Sequence, residues 1–186
     1  MDTANLFTAA LQLQDPWYVT KVEFTPSPED VAKLELHIHI SFRRGAYFNV
    51  TNEDGELLLD ENGKPRRFTA HDSVERTWRH LDFFQHKTYI HARVPRVSTE
   101  DGGCLSVSVP WARKYSGFTL LFESWVVELA KNVPVAVIGK LVHEHDTRIW
   151  RILRYYIDEA RSRVDASDVT AIGMDEMKCT PCQGQF

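Results

Sequence analysis

The sequence is poor in cysteine and contains no long apolar run. Only three of its 186 residues are cysteines, too few for the disulfide framework of a small secreted domain. No stretch of about 18 apolar residues occurs, so a hydrophobic transmembrane helix is excluded. The first residues form neither a basic leader nor a long apolar segment, which disfavours a secretion signal. These absences predict a folded, cytoplasmic protein with no membrane partner.

Charge is unevenly distributed along the chain. The formal net charge is −4, which by itself disfavours a nucleic-acid partner. Residues 64–97 nevertheless hold eight cations against three acids, and residues 110–164 hold nine against six. Phosphate responds to local potential rather than to net charge, so two basic stretches are compatible with DNA binding. A run of charges is also typical of an ordinary solvated surface.

The first part of the sequence has the period-two pattern of β-strands. Apolar and polar side chains alternate in residues 33–42, and the same alternation recurs in residues 88–94 and 105–109. The Asn62-Gly63 pair favours a tight hairpin turn. The predicted inward face of the first of these strands consists of Leu34, Leu36, Ile38, Ile40 and Phe42.

The pattern becomes helical near Pro110. Residues 118–131 have one amphipathic repeat and residues 135–142 a second, shorter one. A turn of three or four residues follows, in which His143 stands where glycine is common, and Asp146 is the expected N-cap of a third helix. This order is the layout of a helix-turn-helix. The expected fold class is therefore α+β, with a β-rich domain over residues 1–109 and a three-helix domain over residues 110–165.

The third helix separates its apolar and polar side chains onto opposite faces. Ile149 and Ile152 belong to the apolar stripe, whereas Thr147, Arg148 and Arg151 fall on the polar side. The first turns of a recognition helix present side chains to base edges in the major groove. The alternative is a small helical bundle with a solvated basic face.

Three other groups of residues resemble chemical sites. His37 and His39 have a spacing that could present two imidazoles to zinc, but an ordinary polar strand face is favoured because no third ligand follows at motif spacing. Cys179 and Cys182 form a CxxC pair, which supplies only half of a structural zinc site. Asp175 with its acidic neighbour is one pair, whereas two-metal phosphoryl transfer needs several converging carboxylates.

Four sequence blocks stand out in order along the chain: ERTWRHLDFFQHKTYIHARVPRV at 75–97, VPWARKYSGFTLLFE at 109–123, HDTRIWRILRYYIDEAR at 145–161 and IGMDE at 172–176. Together they resemble the N-terminal portion of insertion-sequence transposases of the ISL-three family. The resemblance implies a zinc-ribbon-like segment, then a helix-turn-helix, then the start of an RNase H-like catalytic domain at residues 166–186. It also implies that Asp175 matches the first of three catalytic acids, a vestigial position in a chain without the other two.

The implied zinc ligands have no thiolates in this sequence. The family's CxxC positions fall near Thr51, Asp54 and Gly55, and near Thr99 and Gly102. Threonine and glycine cannot replace thiolate in a tetrahedral zinc site. We therefore expect a degenerate zinc ribbon with no metal ligands and no cofactor; magnesium would be needed only by a complete catalytic domain.

The expected function is sequence-specific binding of double-stranded DNA by a truncated, transposase-like protein, at the terminal inverted repeats of its element. Such a protein would be nucleoid-associated and would pair with a second copy or with an intact transposase. The residues expected in the major groove are Thr147, Arg148 and Arg151, and those expected at phosphates are Arg79, Lys87, Arg93 and Arg96. The alternatives are the N-terminal part of an active strand-transfer enzyme, and a folded relic without function.

Overall fold

The computed structural model describes residues 2–52, 55–99 and 102–165. The expected start of a catalytic domain at residues 166–186, which contains Asp175 and the Cys179–Cys182 pair, therefore lies outside the described residues. The elements in chain order are α1 (Thr3–Ala10), β1 (Trp17–Pro26), β2 (Leu34–Phe42), β3 (Tyr47–Phe48), β4 (Phe68–Thr69), β5 (Asp72–Phe83), β6 (His86–Ser98), β7 (Cys104–Ser106), α2 (Leu120–Ala130), α3 (Val135–Val142) and α4 (Asp146–Ser162). The expected α+β class, with strands first and a helix-turn-helix after them, is confirmed.

The main sheet has the strand order β1-β2-β6-β5, with β7 added to the end of β6. Strand β2 runs antiparallel to β1 and parallel to β6, and β5 and β6 form an antiparallel hairpin. The alternation predicted for β2 is confirmed at Leu36, Ile38 and Ile40, which are almost fully buried, whereas Leu34, predicted to point inward at the start of the strand, is 41% exposed. His37 and His39 point to the opposite face, as the period of two requires.

Strand β5 and helix α1 were not predicted. Strand β5 lies at an edge of the sheet, and half of its side chains are exposed, so its sequence lacks the apolar alternation of a half-buried strand. Helix α1 has no fully buried residue, but its Thr8 hydroxyl accepts a hydrogen bond from the Val19 amide at 3.0 Å.

The tight turn expected at Asn62-Gly63 is present, because the Asp60 amide donates to the Lys64 carbonyl at 2.8 Å.

Two hydrophobic cores form along the chain. The first lies on the sheet and includes Trp17 and Trp78, with Trp111 packed against both rings at centroid distances of 5.0 and 5.7 Å. The second begins at Phe118 and joins the three helices. The buried residues of the second core are Phe118, Phe122, Val126, Ile138, Val142, Ile149, Ile152 and Leu153. Because Trp111 and Ala112 still belong to the first core, the chain passes from one core to the other between residues 112 and 118.

The turn between α3 and α4 has the left-handed geometry that the sequence suggested. His143 takes φ 55° and ψ 43° as the C-cap of α3, and its amide donates to the Gly139 carbonyl. The N-cap of α4 is His145, so the expectation of Asp146 was wrong by one position. The His145 ring nitrogen accepts from the Thr147 amide at 3.3 Å, and Asp146 lies in the first turn, where its charge suits the helix dipole.

Gly139 allows α3 to approach the start of α4 closely. A Cβ atom at this position would lie 2.8 Å from the Glu144 carbonyl oxygen, closer than van der Waals contact permits. Gly139→Ala should therefore lower the free energy of unfolding by about 1–3 kcal/mol, although alanine favours a helix. Urea denaturation measures the loss. In the control, Gly117→Ala, the nearest atom to the added Cβ would be the flexible Arg148 guanidinium at 3.7 Å, so stability should stay nearly unchanged. Equal stability of the two variants would show that the backbone approach is looser than described.

Candidate nucleic-acid interface

Helix α4 exposes one continuous polar face. Ile149, Ile152 and Leu153 are buried against α2 and α3, and the helical period places Thr147 and Arg151 on the side directly opposite. Arg154 lies on the same exposed side, one turn after Arg151. Sequence reasoning omitted Arg154 even though the spacing that selected Arg151 also selects it.

Arg151 and Arg154 are charged side chains without internal partners. Across the described parts of the chain, neither guanidinium forms an ion pair, a hydrogen bond or a ring contact, and both residues are exposed. Thr147 is exposed too, and its hydroxyl lies 2.9 Å from the His145 ring nitrogen at the helix start. The predicted positions of Thr147 and Arg151 on an outward face are thus as expected, and their role in binding stays a prediction.

Arg148 does not share this outward orientation. Its guanidinium pairs with Glu144 and stacks over the Phe118 ring at 4.5 Å from the centroid. The side chain is 43% exposed, so it lies on the flank of α4 rather than on its outer face. Arg148 holds the first turn of α4 against the segment before α2, which corrects its expected place beside Arg151.

Arg79 was expected at DNA phosphate, and the structure contradicts this because its side chain is only 1% exposed. The guanidinium pairs with Asp82, and its Nε lies 3.6 Å from a Glu144 carboxylate oxygen. It donates to the carbonyls of Thr88 at 3.3 Å and Val142 at 3.5 Å, and it stacks on two aromatic rings. Sequence patterns treat every arginine as a surface residue, so nothing in the sequence signalled this burial.

The remaining phosphate candidates divide into paired and unpaired cations. Lys87 forms an ion pair with Glu29 at 2.8 Å, and Arg96 forms a two-pronged pair with Asp72. These hydrogen bonds raise the pKa of Lys87 and of Arg96 above their usual values. Arg93 is exposed and has no ion pair among the described residues. Of the four candidates, Arg93 alone forms no ion pair within the described chain, although Glu75 lies opposite it in the β5–β6 register.

A buried carboxylate connects the segment before α2 with α4. Glu123 is fully buried, and it accepts hydrogen bonds from Arg113 Nε at 2.9 Å, Ser116 Oγ at 2.6 Å and the Tyr156 hydroxyl at 2.8 Å. Burial and the bond to Glu123 raise the pKa of Tyr156, so its hydroxyl remains a donor. Three donors from two segments compensate the desolvation of the charge and fix α2 and α4 together.

The start of α2 is held by a neutral histidine. The Thr119 hydroxyl caps the helix by accepting from the Phe122 amide at 3.3 Å, and it lies 2.9 Å from the His80 ring nitrogen. Burial lowers the pKa of His80 to about 4, so the ring is neutral near pH 7 and can accept a hydrogen bond from the Thr119 hydroxyl. Strand β5 thereby takes part in capping a helix of the second core.

Known proteins match both parts of this architecture. The family model described as "Helix-turn-helix domain of transposase family ISL3" matches residues 107–157, and that described as "zinc-finger of transposase IS204/IS1001/IS1096/IS1165" matches residues 63–98. Two curated relatives are each named "Transposase for insertion sequence element IS1557" and come from two strains of Mycobacterium tuberculosis, CDC 1551 / Oshkosh and ATCC 25618 / H37Rv.

Two segments of the chain are thus similar to two domains of ISL3-family transposases. Each relative is 29% identical over 103 residues, which are 55% of this chain and 23% of the relative. The match thus spans about a quarter of the relatives' length. No solved structure matches. The matched helix-turn-helix is a DNA-binding type of domain and contains α2, α3 and α4.

The segment that matches the zinc-finger model lacks the cysteine thiolates of a zinc ribbon. Residues 63–98 contain histidines but no cysteine. Of the implied ligand positions, Thr99 and Gly102 close a backbone turn, and Asp54 lies outside the described residues. Within residues 2–52, 55–99 and 102–165, no three His, Cys, Asp or Glu side chains are grouped as a metal site. The donor set therefore does not fit a structural zinc, and the sheet core takes the place that a metal has in a small ribbon.

Zinc removal should leave the ISL3 segment folded. Metal analysis of protein purified without a tag should find well under one equivalent, and the unfolding midpoint should be the same with and without a strong chelator. The expectation follows from the apolar core around Trp17, Trp78 and Trp111, which needs no ion. Stoichiometric zinc, with unfolding once it is stripped, would mean that ligands outside the described residues complete a site.

Replacing Arg79 should destabilise the fold rather than weaken a phosphate contact. Arg79→Met leaves the Asp82 and Glu144 carboxylates without their buried partner, so the free energy of unfolding should fall by about 3–5 kcal/mol. Arg96→Met, which breaks an exposed pair, should cost at most about 1 kcal/mol. Urea denaturation distinguishes the two. If Arg79→Met kept full stability and bound DNA with a lower salt dependence, the side chain would have to be accessible after all.

No helix among the described residues is both long enough and apolar enough to cross a membrane.

Proposed function

We propose that this protein binds double-stranded DNA sequence-specifically, with α4 in the major groove, at the terminal inverted repeats of its insertion sequence. The observation that carries the proposal is the exposed face of α4, where Arg151 and Arg154 have no partner among the described residues. Arginine reads guanine through two parallel hydrogen bonds to its major-groove edge, so a free guanidinium on such a face is suited to that contact.

The neighbouring elements support the same arrangement. Arg148 is held by Glu144 and Phe118, so the first turn of α4 is fixed before any contact with DNA. On α3, Lys140 is exposed and has no ion pair in the described chain, a suitable position for phosphate because the first helix of the motif crosses the backbone. The terminal repeats are proposed as the target because the relatives are named as transposases of an insertion sequence.

A binding titration tests the role of the two arginines. The duplex is the tightest site selected from a random pool, and a scrambled duplex is the competitor. Arg151→Ala and Arg154→Ala should each lower affinity for the selected site by about 1–3 kcal/mol, roughly 5- to 150-fold, with little change for the scrambled duplex. Both variants should keep their circular dichroism and melting temperature, because neither side chain packs against the protein.

Arg163→Ala is the matched control for this experiment. It removes the same charge from the far end of α4, where Arg163 pairs with Glu159, and should leave affinity for the selected site nearly unchanged. A selection that yields no consensus, or full affinity of both variants, would contradict specific reading by α4. A consensus that does not occur at the ends of the insertion sequence would contradict only the proposal that the terminal repeats are the target.

A further inference from the structure

A groove beside the short strand β7 is lined by cations and contains no acid. It has a volume of about 290 Å³ and lies between β5, β7 and the segment that leads to α2. Neither aspartate nor glutamate occurs among its lining residues. Its polar and charged wall includes Arg76, Arg113, Lys114, Ser106 and Ser108. Such a wall offers many hydrogen-bond donors and positive charge, which is the chemistry that phosphate requires.

Two of these cations have no acid partner. Arg76 and Lys114 are exposed, and neither forms an ion pair within the part of the chain that the structure describes. Lys114 contacts the ring of Tyr115 at 5.3 Å from the centroid. Arg113, by contrast, forms an ion pair with the buried Glu123. The groove therefore keeps two uncompensated positive charges, although the chain as a whole is acidic.

The groove is continuous with the flank of α4. The Arg113 guanidinium lies 4.0 Å from the Tyr155 ring centroid, and the Arg148 guanidinium lies 4.5 Å from that of Phe118. Residues 113–118 consequently run alongside α4 over the two turns between these contacts. Residues 113–115 of this segment also line the groove, so the groove and the flank of α4 share the segment.

We propose that the groove binds the phosphodiester backbone of the same duplex, just outside the base pairs that α4 reads. The inference rests on the proposed function for its ligand and adds to it a second, sequence-independent contact surface on the β-rich part. Arg76 and Lys114 neutralise phosphate charge, and the Ser106 and Ser108 hydroxyls line the same groove. Contacts of this kind position the protein and carry no sequence information.

The salt dependence of affinity tests the groove. Each phosphate contact that is lost lowers the slope of log affinity against log salt by about 0.9. Arg76→Ala with Lys114→Ala should therefore lower the slope by nearly 2 and weaken selected and scrambled duplexes by the same factor. Lys21→Ala is the control, because Lys21 is an exposed cation on β1, at the opposite edge of the sheet from β5. It should leave the slope unchanged.

Cys104 provides a second measurement that does not depend on affinity. This exposed thiol lines the groove, so a bound backbone should slow its alkylation. Peptide-resolved mass spectrometry should find protection of Cys104 by a duplex extended about five base pairs, half a helical turn, beyond the selected site. The duplex trimmed to the site itself should protect it less.

The possible outcomes separate this inference from the proposed function. If Arg151→Ala abolishes discrimination while the groove double variant keeps the wild-type slope and Cys104 stays reactive, the groove proposal is wrong and the recognition helix stands. If wild type binds all duplexes equally but the double variant lowers the slope and Cys104 is protected, the groove stands and specific reading by α4 is wrong. A salt slope that Lys21→Ala lowers equally would also overturn the groove, because the effect would then be one of overall charge.

Discussion

The buried guanidinium of Arg79 is the interaction on which the joint between the sheet and the helices depends. It belongs to β5, yet it reaches Asp82 beside it, the Val142 carbonyl at the end of α3, and Glu144 in the turn before α4. The backbone at this position adds two more bonds, to Gly117 at 2.9 Å and from Thr119 at 3.0 Å. A desolvated charge is tolerated only with its partners in place, so these three segments have to come together as a unit.

Glu144 carries this constraint to the candidate DNA interface. One side of its carboxylate lies near the buried Arg79, and the other pairs with Arg148 in the first turn of α4. The orientation of α4 is therefore fixed relative to the sheet through two arginines, the buried Arg79 and the partly exposed Arg148. Because Arg148 is used in this way, the face that remains free for a ligand is centred on Arg151 and Arg154. A rigidly held helix with free guanidinium groups loses less conformational entropy on binding than a mobile one.

Local sequence patterns predicted much of this fold, and they failed for the elements and side chains whose positions are determined by tertiary contacts. The alternation in β2, the bounds of α3 and the left-handed His143 all follow from neighbours along the chain, and the structure has them. Strand β5 and the burial of Arg79 depend on what packs across the sheet, which a charge count cannot show. For the site, helical spacing places Arg151 correctly and would have placed Arg154. It could not place Arg148, because the ring of Phe118 and the carboxylate of Glu144 turn that side chain to the flank.

The same distinction between paired and unpaired charge explains how an acidic chain can present a basic surface. Lys87, Arg96 and Arg79 form ion pairs with acids of the same chain, so they contribute little to the electrostatic potential outside the protein. Arg76 and Arg151 form no ion pair within the described residues, so no such contact neutralises their charge. Since potential near a surface is set within about a Debye length, roughly 8–10 Å, acids farther away than this contribute little to the potential around a given cation. Under the proposed function, affinity for DNA depends on which cations the fold leaves unpaired, and not on how many the sequence contains.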